Sequence, residues 1–167
     1  TTEPPEEITP GKDTLADDLV TLWSALQRED TPPEPPLTTL HPPAGARLAL
    51  LKQLGNELGW IKADDGGRLR PGASEMLSWL RANLWTQWST LADAWIASEV
   101  WNDLAHVPSL RPDPVTPWPS APRDIRRAFL NVIHHCQADT WYDITAFTGY
   151  VKAYGTDFLR QDGSYDT

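Results

Sequence analysis

At 167 residues, with 40% hydrophobic and 22% charged side chains, the chain holds enough apolar material for one domain or two small ones and is not wholly disordered. Its net charge of −9 is concentrated at the start: residues 1–40 carry nine acids against only Lys12 and Arg28. That balance argues against strong autonomous DNA binding, which needs a basic face, while a near-neutral remainder leaves room for a local basic patch.

No apolar run approaches the roughly 18 residues that would span a bilayer. The single cysteine, Cys136, excludes an intrachain disulfide framework and fits a reducing, cytoplasmic compartment. Residues 1–10 contain neither a basic nor an apolar leader stretch, so no signal peptide is expected. The lack of an initiator Met and the abrupt end at Tyr165-Asp166-Thr167 read as a piece of a longer protein.

Proline marks the boundaries. Fifteen of the 16 prolines fall in residues 4–10, 32–43 and 108–122, and Pro71 stands by itself. Because proline breaks helix interiors and central strands, these clusters are expected to be linkers or loops. Within Asp13 to Arg28, Leu15, Leu19, Leu22, Trp23 and Leu26 recur at helical spacing, with Asp13 a fitting N-cap and Asp17 and Asp18 near the positive end of the helix dipole. From Ala44, the residues Leu48, Leu51, Leu54 and Leu58 predict a second helix ending near Gly55 or Gly59.

Trp60 to Ala63, the turn Asp64-Asp65-Gly66-Gly67, and Arg68 to Arg70 read as strand, tight turn, strand. Pro71 then suits the first turn of a helix lined by Met76, Leu77 and Leu80. Leu84, Trp88, Leu91, Trp95 and Ile96 continue the periodicity toward Val100, Trp101 and Leu104, with a break expected at Ala82-Asn83. Past the third proline cluster, Ile125, Phe129, Val132, Ile133 and Cys136 form one helix face, and Trp141, Ile144, Phe147, Val151 and Tyr154 another. Thr140 with Asp143 resembles a capping box. Phe158-Leu159-Arg160 followed by Asp162-Gly163 reads as a strand entering a turn.

Helices followed by one short hairpin make the pattern of a winged helix-turn-helix. Three stretches carry a resemblance: Gly67-Arg68-Leu69-Arg70-Pro71-Gly72; Leu91 to Ser98 with Trp101-Asn102-Asp103-Leu104; and Trp141 and Phe147 followed by Phe158-Leu159-Arg160 and Asp162 to Asp166. Together they resemble large, uncharacterised bacterial proteins related to the winged-helix, helicase-associated regions that accompany XPB-type DNA helicases. The likeness covers residues 13–167 and rests on apolar and turn residues. That family often places Thr before the proline, where Arg70 stands here, and no Walker motif occurs. The resemblance therefore implies an accessory region without an ATPase of its own.

Motifs that would carry chemistry have simpler explanations. His134-His135-Cys136 lacks the three- or four-residue spacing that sets two ligands on one helix face, so no metal and no cofactor is expected, and Cys136 is assigned to the core. No Gly-x-Ser-x-Gly elbow is present, and no enzyme activity is expected. Most of the nine tryptophans, among them Trp23, Trp88, Trp95, Trp101 and Trp141, fall on or beside apolar stripes and read as core. Trp118, between Pro117 and Pro119, lies off any stripe and is a candidate partner contact.

The nucleic-acid candidates are cations and amides. Arg47, Lys52, Gln53 and Asn56 lie on the helix from Ala44 to Leu58, Lys62, Arg68 and Arg70 flank the hairpin, and Arg123, Arg126 and Arg127 open the last stretch. The expectation is thus a mostly α chain: a leader at 1–12, a winged-helix-like domain at 13–107, a Pro-rich linker at 108–121, and a second, truncated winged-helix-like unit at 122–167. Its expected role is a non-catalytic module of a larger protein, bound to DNA or to a DNA-processing complex. The alternative is a protein–protein scaffold with no nucleic-acid contact, and less favoured is a small hydrolase. The parent chain and protein partners are expected associates; a membrane is not.

Overall fold

A computed structural model describes residues 15–27, 44–107 and 121–154. They are mostly helical, with one small antiparallel hairpin, and fall into two compact units, residues 15–101 and residues 102–154. No described helix is long and apolar enough to cross a membrane. The N-cap expected at Asp13, the strand at Phe158 and the tryptophan at 118 lie outside the described residues.

In the first unit, helix α1 (Leu15–Leu26) and helix α2 (Ala44–Glu57) precede strands β1 (Ile61–Ala63) and β2 (Leu69–Pro71). Helices α3 (Ala73–Leu80) and α4 (Leu84–Ala97) follow. The leucine stripe of α1 is buried together with Trp23, and it meets Leu51 and Leu54 of α2, Trp60 and Ile61, Met76 and Trp79 of α3, and Leu91 of α4. The indole of Trp60, just before β1, packs on that of Trp79 in α3 with centroids 4.8 Å apart.

Helix α2 ends at Glu57 and is capped at Gly59, the later of the two glycines expected to stop it. Its φ of 72° is the left-handed conformation that favours glycine. Trp60 N–H donates to the Gly55 carbonyl and Gly59 N–H to that of Asn56, the paired bonds of a Schellman cap. Gly55 itself is buried because Ile61 lies directly over it.

Across the hairpin, Ile61 faces Pro71, Lys62 faces Arg70 and Ala63 faces Leu69. Pro71, expected to open a helix, instead closes β2. Gly72 N–H donates to the Trp60 carbonyl, and α3 starts one residue later with Gly72 at its N-cap. A strand end tolerates proline because no ladder N–H is required there.

The break between α3 and α4 lies at Arg81–Asn83, where the Asn83 side chain accepts from Thr86 N–H and caps α4. Trp79 Nε1 donates to the Gln87 carbonyl, and the Gln87 amide donates back to the carbonyls of Trp79 and Leu80. Helix α4 stops at Ala97, short of the continuation expected toward Leu104. Ser98, buried, donates to Glu57 at the end of α2 and accepts from Trp101 N–H, turning the chain out of the helix. Trp101 is buried, and Trp95 is half-buried against the core.

The second unit contains a 3-10 turn (Asp103–His106), helix α5 (Pro122–His134) and helix α6 (Ile144–Tyr154). Pro122 occupies the first turn of α5, where its missing N–H is not needed. Asp143 caps α6 directly by accepting from Ala146 N–H, while Thr140 donates to the Ala138 carbonyl; the capping box expected of that pair does not form. Phe129 and Phe147 meet edge to face at 6.2 Å. Trp141 is exposed rather than core. Cys136 lies beyond the end of α5 and is only half-buried, because the helix stops before its stripe reaches it.

Candidate functional site

Four of the eight cations proposed from the sequence, Arg47, Arg70, Arg123 and Arg126, form ion pairs within the fold. Arg47 reaches back from α2 to Asp18 of α1, its Nε 2.5 Å from the carboxylate, in a largely buried pair. Asp18 is therefore a tertiary partner of α2, beyond its place near the dipole of its own helix. Gln53 donates to Glu57 one turn along α2, the same carboxylate that receives Ser98. Lys52 is half-buried, and Asn56 is exposed at the helix end.

In the second unit, Arg126 is 3% exposed and its Nε lies 2.7 Å from Asp103, so its guanidinium faces inward and is withdrawn from the solvent-facing set. Arg123 is half-buried, 3.7 Å from Asp124, and Arg127 is exposed.

The hairpin brings Lys62, Arg68 and Arg70 to one end of the first unit. Register sets Lys62 and Arg70 side by side on its solvent face, an unfavourable like-charge pair. Carboxylates offset it. Asp64 receives backbone N–H groups of Arg68 and Gly66 and the Nε of Arg70 at 3.0 Å. These bonds, that from Arg68 first and that from the Arg70 side chain next, hold the Asp64 carboxyl below the ordinary aspartate range. Glu75 is likewise lowered, chiefly by the Ser74 hydroxyl and its own backbone N–H, with a smaller contribution from the charge of Lys62. The basic tip is thus interleaved with acids.

A different surface was missed in the sequence. At the start of α4, Trp85 is 81% exposed and Leu84 66%, and Leu77 on α3 is 42% exposed. The apolar stripe of α4 runs through Leu84, Trp88, Leu91 and Trp95, and Trp85, next to Leu84, points about 100° away from it. A large aromatic off its helix's own stripe was the available signal.

The second unit carries a pocket of about 420 Å³ between the end of α5 and the start of α6, lined by Val132, His135, Cys136, Tyr142, Asp143 and Phe147 among others. His135 Nδ1 lies 2.7 Å from the Asn131 carbonyl, and the Cys136 thiol is directed at the Val132 carbonyl. Each is bound to the backbone of α5, and no hydrogen bond joins thiol to imidazole. Among the described residues, no three His, Cys, Asp or Glu side chains are grouped as a metal site.

No family model, curated protein or solved structure matches this chain. The functional reading therefore rests on the surfaces themselves.

Proposed function

We propose that this chain is a non-catalytic association module whose first unit docks a protein partner through the Leu84–Trp85 edge of α4. The observation that carries this reading is Trp85, a large indole left 81% in water beside a leucine left 66% exposed. Exposed apolar side chains grouped in this way mark interaction sites more often than they occur by chance, and tryptophan is the residue most enriched in binding hot spots. The engagement of Arg47, Arg70 and Arg126 with Asp18, Asp64 and Asp103 supports a protein rather than a polyanion as the partner. So does the net charge of −9.

The order of the first unit, with α2 leading directly into the hairpin and both packed on α1, supports a winged-helix identity. The resemblance to helicase-associated regions supports a partner within a DNA-processing assembly. A second reading, direct DNA contact through the wing, is favoured by one observation: Lys62 and Arg68 are exposed and hold no ion pair among the described residues.

Titration of a labelled duplex at physiological salt separates the two. The protein reading expects binding no tighter than the non-specific range of about 10⁻⁴–10⁻⁶ M and unchanged by Lys62→Ala/Arg68→Ala. Binding clearly tighter than about 10⁻⁶ M and abolished by that pair would establish the DNA reading instead.

A further inference from the structure

The pocket of the second unit belongs to neither reading. We propose that it binds a small quaternary or alkylated ammonium ion. Its volume of about 420 Å³ lies in the range of small-ligand sites. Its walls hold three aromatic rings, Tyr142, Phe147 and Tyr150, and one carboxylate, Asp143, while no lysine or arginine lines it. Aromatic faces carry negative potential and attract cations, above all those too weakly hydrated to prefer water, which is the logic of an aromatic cage.

Two of these groups are fixed in place. Asp143 accepts from Ala146 N–H at 2.9 Å as the cap of α6, and a carboxylate retains a second oxygen for a ligand. The Tyr142 hydroxyl accepts from Gln137 N–H at 2.8 Å, which anchors that ring at the pocket wall. An anion would find no lysine or arginine in the lining, and although His135, Cys136 and Asp143 line it, no three such side chains are grouped to hold a metal among the described residues.

The test is a titration of the full 167-residue chain with choline chloride at pH 8, followed by amide chemical shifts. The neutral isostere 3,3-dimethylbutan-1-ol is titrated in parallel. Saturable shifts confined to residues 132–150 are expected, with choline bound about tenfold more tightly than the alcohol. Asp143→Asn preserves an N-cap acceptor and should lose most of that preference, and Tyr150→Leu, on an exposed ring, should weaken choline without unfolding the helix. Absence of saturable shifts, equal affinity for the alcohol, or unchanged choline binding in both variants would overturn the proposal. None of these outcomes bears on the Leu84–Trp85 edge.

Discussion

Gly72 sits where three parts of the first unit converge, and replacing it with alanine tests how tightly they are joined. Its N–H donates to the Trp60 carbonyl at 2.7 Å, and its own carbonyl accepts from Trp23 Nε1 at 3.2 Å. A Cβ at this position would fall on the carbonyl oxygen of Gly59. Its backbone, φ −85° and ψ 118°, is open to any residue, so alanine meets no conformational penalty. Reduced freedom of the unfolded chain would by itself stabilise the variant by about 0.4–1 kcal/mol.

The clash is larger, because its partner is backbone held by the cap of α2. Relief requires Gly59 and Gly72 to separate, which strains the core by roughly 1–3 kcal/mol and weakens two hydrogen bonds worth about 0.5–1.5 kcal/mol each. The net expectation for Gly72→Ala is a loss of about 2–4 kcal/mol, a fall of roughly 10–25 °C in Tm for a unit of this size. Gly55→Ala is the internal comparison. Its Cβ would meet the Ile61 side chain, 2.7 Å from Cδ1, while gaining helix propensity of about 0.8–1 kcal/mol. It should therefore cost clearly less than Gly72→Ala. Thermal unfolding followed by helical circular dichroism reads both. A Gly72→Ala variant within about 0.5 kcal/mol of the parent, or less harmful than Gly55→Ala, would refute the reasoning.

Three further outcomes follow. Asp18→Ala and Arg47→Ala should each destabilise the first unit by about 1–3 kcal/mol, between the values for exposed and fully buried pairs. A double-mutant cycle should then return a positive coupling. The hairpin should loosen in acid: because the folded-state pKa of Asp64 is depressed, its stabilising bonds are complete above the ordinary aspartate value and are lost as pH falls through the lower, folded value. A carboxyl carbon titration placing the Asp64 midpoint at or above that of an exposed aspartate would contradict this. In the second unit, Gly149 lies within α6 with nothing near its Cα that a methyl would meet, so Gly149→Ala should raise stability by about 0.5–1 kcal/mol.

Regular features were legible where one local rule governed them. The stripes of α1 and α2 and the Asp-Gly turn each follow from spacing or from one residue's conformational limits. What escaped depended on tertiary contacts. Arg47 read as a surface cation because nothing local ties it to Asp18, 29 residues earlier. Arg126 read the same way although Asp103, 23 residues before it, draws it inward. Pro71 fits a helix start and a strand end equally well, and only the bond from Gly72 to Trp60 decides between them. Trp141 shares a stripe with Phe147, yet the described chain leaves it exposed. The Leu84–Trp85 edge was obscured because Leu84 fits the buried stripe of α4, while its position in the first turn leaves it beyond the reach of the core.

Site-specific photocrosslinking in cells tests the central claim most directly, with a photoreactive residue placed at position 85 and, separately, at position 62. One discrete protein adduct is expected from position 85, lost when Leu84 is also changed to serine, and no adduct from position 62. Nucleic acid captured from position 62, with nothing captured from position 85, would contradict it.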